Sequence, residues 1–295
     1  MKHSAKDYLL ATRPWSFPAS AMPVTVTLAW LFYTGAQPDW LLGLWALLTI
    51  IVVHAAGNVW SDYFDYKAKV DREDTYGIKT LTSGKFLPRE MLTLSIALQV
   101  VALLSGILLV CATGIDLLWI GLGGVLLSVL YPPLKYAALG DLVIYLCYGL
   151  LPILGTSLIA TGTIHWQALW LSIPVGLITI SILHANNTRD IETDRRAGIK
   201  TLAMLLGSRT SAFIYCAEVI VPYIFVAALA AAGVLSWWSM LVWLTLPMCI
   251  INVKMMMGYK TGEVATIANL DEASAKLQLS FSLLLSVGLL IGGVA

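Results

Sequence analysis

The stretch MLTLSIALQVVALLSGILLVCAT, residues 91–113, contains no charged side chain and is rich in Leu, Val and Ile. A helix that crosses the hydrocarbon core of a bilayer needs about 20 predominantly apolar residues, so this stretch is long enough to span a membrane. The whole chain has the same character, with 59% hydrophobic and 12% charged residues. Soluble globular proteins contain about 25% charged residues. The composition therefore excludes an ordinary water-soluble fold and predicts a polytopic membrane protein.

Eight further apolar stretches are candidates for spanning helices. Backbone groups in lipid must be hydrogen-bonded within the protein, which favours helices. We therefore predict an all-α protein with nine transmembrane helices, at residues 17–35, 40–61, 91–113, 117–131, 142–161, 168–185, 212–233, 237–257 and 277–294.

The basic residues predict the orientation of these helices. In the nine-span arrangement all 18 Lys and Arg residues lie on one side of the membrane, and loops rich in Lys and Arg stay cytoplasmic. The turns on the opposite side are too short to hold a functional site. We therefore expect the function to lie at the cytoplasmic face. The net charge of +1 gives no reason to expect nucleic acid as a partner.

Two predicted spans end in similar acidic sequences. The second ends in NVWSDYFD, residues 58–65, in which Asn58, Asp62 and Asp65 share one helical face at 100° per residue. The sixth ends in NNTRDIETD, residues 186–194, in which Asn186, Asp190 and Asp194 follow one another at i+4. Each end is followed by a basic loop containing GIKTL, at residues 77–81 and 198–202. These matching ends and loops indicate an internal repeat.

Carboxylates at the carboxyl end of a helix are unfavourable because the helix dipole is already negative there. Bound cations would remove this cost. Mg²⁺ takes one or two protein carboxylates and completes its octahedral shell with water and phosphate oxygens. A pair of Asp residues on each of two facing helices suits two such ions and a diphosphate between them. The loops would supply basic side chains for the diphosphate, with Lys79 and Lys200 at matching positions.

The sequence resembles the UbiA-type membrane aromatic prenyltransferases over nearly its whole length, most closely the branch that acts on 1,4-dihydroxy-2-naphthoate in menaquinone synthesis. The second acidic segment, NNTRDIETDRRAGIKTLA at residues 186–203, is typical of that branch. The first segment departs from the family motif at Ser61, where the family usually has Asn before the first Asp. Two further signatures are YPPLK at residues 131–135 and Arg13-Pro14 before the first span.

The resemblance implies one prenyltransferase domain over residues 1–295, a helical bundle whose active cavity opens to the cytoplasm and to lipid. It implies transfer of a polyprenyl group from an allylic prenyl diphosphate to 1,4-dihydroxy-2-naphthoate with decarboxylation, in a bacterial inner membrane and without an obligate protein partner. By similarity, one Mg²⁺ would be held by Asp62 and Asp65 and the other by Asp190 and Asp194. The residues implied to bind the diphosphate are Arg13, Asn58, Lys79, Tyr131, Lys135, Asn186, Arg189 and Lys200.

Other functions and roles remain open on the sequence. The acceptor could instead be 4-hydroxybenzoate, homogentisate, or a chlorin or haem ring. An ion-coupled transporter is a rival from another class, although transporter sites lie near the midplane. Glu218 lies inside a span and is either functional or a structural hydrogen-bonding group. His54 and His184 could line the cavity, although we expect them to be packing residues. Asn269, Asp271 and Glu272 could cap the cavity, although we expect them to be solvated.

Overall fold

A computed structural model of the chain describes residues 3–72, 76, 80–259 and 263–295. Within these ranges every regular element is helical, and the one β-type pairing is an isolated bridge between Ala137 and Lys200. The prediction of an all-α fold is confirmed.

The α-helices follow one another with short connections. Short 3-10 or π-helical turns lead into several of them, at Pro14–Ser16, Leu146–Leu150, Trp166–Leu171, Trp237–Thr245 and Val264–Ile267. The helices in the described part of the chain are α1 (Ala5–Ala11), α2 (Pro18–Tyr33), α3 (Trp40–Lys67), α4 (Pro88–Thr113), α5 (Asp116–Lys135), α6 (Gly140–Tyr145), α7 (Leu151–Thr161), α8 (Ser172–Arg189), α9 (Ile191–Ala197), α10 (Leu202–Leu206), α11 (Ser208–Ala231), α12 (Leu246–Gly258) and α13 (Leu270–Val294).

Eight helical segments of the described residues are long and apolar enough to cross a membrane. They coincide with eight of the nine predicted spans. The first predicted span, residues 17–35, contains α2, whose 16 residues give a length of about 24 Å. This helix is shorter than the others and is buried along most of its length. The count of nine spans stays a prediction.

The main core lies where α2, α8, α11 and α13 pack together. Leu31, Ile178, Tyr215 and Phe281, one from each of these helices, are fully buried in a single cluster. By contrast, α4 and α5 are mostly exposed along their apolar faces. Their exposed Leu, Ile and Val side chains suit contact with lipid, because hydrocarbon solvates apolar side chains without loss.

Helix α13 approaches the 3-10 turn at Trp237–Thr245 so closely that one position admits only glycine. A Cβ atom at Gly288 would overlap the carbonyl oxygen of Trp238. Gly121, on the exposed helix α5, has no atom within 4 Å of the place that a Cβ would occupy. The two glycines therefore differ in packing although both lie inside helices.

We expect Gly288→Ala to destabilise the protein by about 1–3 kcal/mol, because the added methyl group forces two backbones apart. Gly121→Ala is the matched control, and we expect it to be neutral or to stabilise by about 0.5–1 kcal/mol, because alanine favours helix. Thermal unfolding in detergent measures both. Equal unfolding temperatures for the two variants would contradict the close packing of α13.

Candidate active site

The ends of several helices meet around one large cavity. Its volume is about 1030 Å³. At one end it is bounded by the carboxyl ends of α3, α5 and α8 and the amino end of α13. We call this part the charged end of the cavity, and its charged lining residues are Arg13, Asp65, Asp71, Lys135, Arg189, Asp190, Asp194, Asp271 and Glu272.

The first acidic sequence lies on the last turns of α3, where both of its Asp side chains are buried. Asp65 accepts hydrogen bonds from Lys135 Nζ at 3.0 Å and from the Tyr136 hydroxyl at 2.6 Å. Ser61, which stands where the family usually has Asn, also donates to Asp65, at 3.2 Å. This position therefore still contacts a motif carboxylate. Asp62 forms an ion pair with Arg13, and neither of its carboxylate oxygens accepts a hydrogen bond.

The turn that contains Arg13 has a left-handed backbone conformation and directs the Arg13 side chain toward Asp62. The φ of 56° at Arg13 places this residue in the left-handed region, which residues other than glycine seldom adopt. The Asn58 amide donates at 2.9 Å to the carbonyl oxygen of Thr12 and to the Ser16 hydroxyl, and so ties this turn to α3. Asn58, predicted as a diphosphate ligand, lines the cavity, but its amide group donates to the turn that contains Arg13.

The second acidic sequence is not one continuous helical face. Helix α8 ends at Arg189, Asp190 caps it with φ −95° and ψ 11°, and α9 begins at Ile191. The expectation of a single helix carrying Asn186, Asp190 and Asp194 at i+4 is therefore wrong in detail. The amide groups of Asp190 and Asp194 still bond to the carbonyl oxygens four residues earlier. Both carboxylates accordingly remain at the charged end of the cavity.

Arg189 binds several groups at the end of α8. It contacts both carboxylate oxygens of Asp190, at 2.9 and 2.8 Å, and the Asn186 side-chain oxygen at 2.7 Å. It also donates to the carbonyl oxygen of Ala268 at 3.0 Å and pairs with Asp271 at 3.3 Å. A guanidinium group suits this role because its five donors lie in one plane. Arg189 thus joins α8 to the start of α13.

Asp271 and Glu272 both line the cavity, and Glu272 is also exposed, as expected. Asp271 is only partly exposed and pairs with Arg189. The expectation for Asp271 failed because acids in the first turn of a helix are common as partners of the helix dipole. Nothing in the local sequence shows that the first turn of α13 faces the end of α8. Tyr136, which donates to Asp65, was missed for the same reason, since its role depends on the packing of α5 against α3.

The remaining predicted residues divide into three groups. Tyr131 and Lys135 line the cavity, as does Asn186. The side chain of Lys200 is exposed and does not line it, although its backbone pairs with Tyr136 and Ala138 beside Lys135. Lys79 lies outside the described residues. Among the described residues, the site therefore brings together the predicted diphosphate ligands other than Lys200.

The charged end of the cavity holds an excess of negative charge. Its described lining contains six acidic and three basic side chains. Burial raises the pKa of Asp194 to about 7, and the nearby charges of Asp190 and Asp65 act in the same direction. Burial likewise raises the pKa of Asp71 to about 6, with Asp65 as the next charge raising it. A carboxylate pKa rises in this way when the charged form lacks compensation.

The donor set fits Mg²⁺ in that carboxylate oxygens are its preferred protein ligands. Asp62 is buried, only one of its two carboxylate oxygens pairs with Arg13, and it does not itself line the cavity. The excess of acids at the charged end favours the binding of cations. Among the described residues, no three His, Cys, Asp or Glu side chains are placed to ligate one ion together. Mg²⁺ needs only one or two protein carboxylates and fills the rest of its shell with water and phosphate.

Away from the charged end, the cavity continues as an apolar groove between α3, α4, α5 and α7. Its lining includes Ile50, Leu103, Ile107, Ile120 and Leu151. Gly106, Gly121 and Gly124 also line it, and a Cβ at any of them would meet nothing within 4 Å. The groove is therefore an open space bordered by apolar side chains. Between it and the charged end, the ring of His54 stacks on that of Tyr148 at 4.5 Å, and both line the cavity.

Comparison with known proteins identifies the family. The model of the UbiA prenyltransferase family matches residues 21–269. The 1,4-dihydroxy-2-naphthoate octaprenyltransferase of Bacillus subtilis is 32% identical over 287 residues, covering 95% of this chain and 91% of that one. UbiA prenyltransferase domain-containing protein 1 of Danio rerio is 36% identical over 247 residues, covering 82% and 73%. The chain belongs to the UbiA prenyltransferase family, and it is an integral, multi-pass membrane protein.

The fold is also similar to that of a UbiA homologue from Archaeoglobus fulgidus whose structure was determined with GPP and Mg²⁺. The TM-score is 0.62 at 16% sequence identity, with 95% of this chain and 99% of that chain covered. The predicted resemblance to this family is therefore confirmed by both sequence and fold.

We expect Arg189→Lys to destabilise the protein by about 1–3 kcal/mol, since an ammonium group cannot replace the planar donor fork of this buried side chain and leaves some of its half-buried partners unpaired. Arg195→Lys is the matched control. Arg195 pairs with Glu192 on the exposed face of α9, and exposed pairs contribute about 0–1 kcal/mol. Thermal unfolding of both variants in detergent tests this. A midpoint for Arg189→Lys that equals the control value would contradict the role given to Arg189.

Proposed function

We propose that this protein transfers a polyprenyl group from an allylic prenyl diphosphate to 1,4-dihydroxy-2-naphthoate, with loss of the ring carboxyl group as CO₂, in menaquinone biosynthesis. The observation that carries the proposal is the joining of a charged end to an apolar groove in one cavity. A diphosphate needs the first and a polyprenyl chain needs the second. The name of the Bacillus subtilis relative supports naphthoate as the acceptor.

In this proposal, Asp62 and Asp65 hold one Mg²⁺ and Asp190 and Asp194 hold the other. When bound, the metal ions supply Lewis acidity that neutralises the departing diphosphate. Arg13, Lys135 and Arg189 are each paired with a motif carboxylate in the described structure. These basic side chains would contact diphosphate oxygens when the motif carboxylates hold the metal ions.

The reaction begins as the bond between the first prenyl carbon and the diphosphate oxygen breaks, and the oxygen keeps the electron pair. The resulting allylic cation is attacked by the ring carbon that bears the carboxylate. A new carbon–carbon bond forms, the bond to the carboxylate carbon breaks, and its electron pair restores the aromatic ring as CO₂ leaves. The apolar lining of the groove keeps water from the cation.

We further propose that residues 1–295 act as one prenyltransferase unit in a bacterial inner membrane, with the charged end of the cavity facing the cytoplasm. The support for this orientation is the placement of all 18 Lys and Arg residues on one side of the nine-span arrangement.

The direct test incubates the purified protein with octaprenyl diphosphate and Mg²⁺, and offers 1,4-dihydroxy-2-naphthoate and 4-hydroxybenzoate in parallel. We expect a prenylated, decarboxylated naphthol, detected by mass, only with Mg²⁺. Prenylated hydroxybenzoate would support the same reaction with a different acceptor. If neither acceptor reacts but prenyl diphosphate binds with Mg²⁺, homogentisate and chlorin or haem precursors are the next acceptors to offer. Absence of Mg²⁺-dependent prenyl diphosphate binding would contradict the proposal and favour the ion-coupled transporter.

Asp190→Asn should reduce product formation by about a hundredfold or more, because it removes a charge that would hold Mg²⁺ beside the departing diphosphate. Glu192→Gln is the matched control. Glu192 lies two residues away on the exposed face of α9, and its side chain is 58% exposed. Equal rates for the two variants, each correctly inserted, would remove Asp190 from the proposed metal site.

Filling the apolar groove should shorten the donors that the protein accepts. Gly124 lies on α5 eleven residues before Lys135, about 16 Å along the helix axis. We expect Gly124→Phe to retain activity with geranyl diphosphate and to lose it with octaprenyl diphosphate. Leu126→Phe on the same helix is the control, because Leu126 is exposed and does not line the cavity. Loss of both donors, or of neither, would argue against the groove as the polyprenyl site.

A further inference from the structure

Three ionisable side chains meet inside the protein next to the charged end of the cavity. His184 Nδ1 lies 3.3 Å from an Asp141 carboxylate oxygen and 3.4 Å from a Glu218 carboxylate oxygen. The three residues come from α8, α6 and α11, and all three are buried. Ionisable groups inside membrane-spanning segments are expensive and require a partner or a role. None of these three takes part in the reaction proposed above.

The hydrogen-bond geometry determines where the protons of this cluster lie. His184 Nε2 lies 2.9 Å from the Ser211 hydroxyl oxygen and 3.2 Å from the Ser211 carbonyl oxygen. The Thr188 hydroxyl donates to the carbonyl oxygen of His184 at 2.8 Å, so the Ser211 hydroxyl donates to Thr188 and can only accept from His184. Nε2 therefore carries a hydrogen. An unprotonated Nδ1 would then direct a lone pair at two acidic side chains. Protonation of Nδ1 instead gives both of them a cationic partner. A positive ring also compensates charge that lipid and protein would otherwise leave unpaired.

The cluster is connected to the residues of the cavity by Asn187. The Asn187 amide donates to the other carboxylate oxygen of Asp141 at 3.3 Å, and Asn187 lines the cavity between Asn186 and Arg189. Asp141 itself follows Lys135 by six residues. The cluster therefore joins the segment after Lys135 to the end of α8, and both of these carry predicted diphosphate ligands.

We propose that a protonated His184, shared between Asp141 and Glu218, is a buried ionic crosslink of α6, α8 and α11 that positions the diphosphate-binding end of α8. These three residues are positioning residues and do not touch the substrate. The crosslink itself is independent of the proposed function, whereas its effect on substrate binding rests on that function.

The first experiment measures the protonation of His184 directly. The chain contains four His residues, so ¹⁵N-histidine labelling gives few NMR signals, which His3→Gln, His54→Gln and His165→Gln variants assign by elimination. At pH 7.5, a histidine of ordinary pKa is about 90% neutral. We expect His184 to show two protonated ring nitrogens at this pH. A neutral tautomer of His184 in the native protein would overturn the proposal.

The second experiment removes the two negative charges without changing side-chain size. In the double variant Asp141→Asn/Glu218→Gln, we expect the imidazolium signal of His184 to disappear, whereas either single variant retains it. The KM for octaprenyl diphosphate should rise about tenfold in the double variant, with kcat changed by less than about threefold. An unchanged KM in a double variant whose His184 has become neutral would overturn the positioning role.

Tyr223→Phe provides the matched control. Tyr223 lies on α11 like Glu218 and bonds to Thr245 at 2.6 Å in a buried pair away from the cavity. We expect it to lower the unfolding temperature and leave KM and the His184 signals unchanged. A rise in KM equal to that of the double variant would show that the loss of any buried hydrogen bond has the same effect, which contradicts the proposal.

The two proposals fail in different ways. If no acceptor is prenylated and His184 is nevertheless an imidazolium, the proposed function fails and the crosslink stands. If prenylation proceeds and His184 is neutral, the crosslink fails and the proposed function stands. If the double variant does not fold, the NMR result for the native protein and the Glu218→Gln variant decides: a neutral ring in either contradicts the shared crosslink.

Discussion

The gathering of carboxylates at one end of a membrane-embedded bundle is the constraint on which the other features of this protein depend. Six acidic side chains line that end of the cavity in the described residues, and in surroundings of low polarity each charge needs a partner. Arg13, Lys135 and Arg189 provide three partners, each from a different segment of the chain. Lys135 joins the end of α5 to the end of α3, and Arg189 joins the end of α8 to the start of α13.

A second set of polar contacts fixes the segments that carry these charges. The Asn58 amide holds the turn containing Arg13, and Arg189 connects α8 to the backbone before α13. A proline in α5 allows a further polar contact between α3 and α5. Pro133 has no amide hydrogen, so the carbonyl oxygen of Val129 loses its helical donor, and the Trp60 indole donates to it at 3.4 Å. The helix carrying the first motif is thereby linked to the helix that ends at Lys135.

Properties of single helices could be predicted from the sequence, whereas contacts between helices could not. The length of each apolar stretch determines whether it can span a bilayer, and eight predicted spans correspond to eight helical segments of the described residues that are long and apolar enough to do so. The acidic sequences could also be recognised, since their pattern is local. Asp271 facing Arg189 and His184 between two acids depend on which helices are neighbours. The break at Asp190 was likewise invisible, because i+4 spacing continues through it.

Because α4 and α5 are exposed, the apparent affinity of the groove for a prenyl donor depends on the surrounding lipid. If the apolar groove holds the polyprenyl chain as proposed, acyl chains of the surrounding lipid can fill it when that chain is absent, because α4 and α5 beside it have exposed apolar faces. Lipid is then both the solvent of the protein and a competitor of its donor. Occupancy of the groove depends on the mole fraction of donor in the bilayer and on the length and saturation of the acyl chains. A change of membrane composition alone would therefore alter the apparent affinity for the donor.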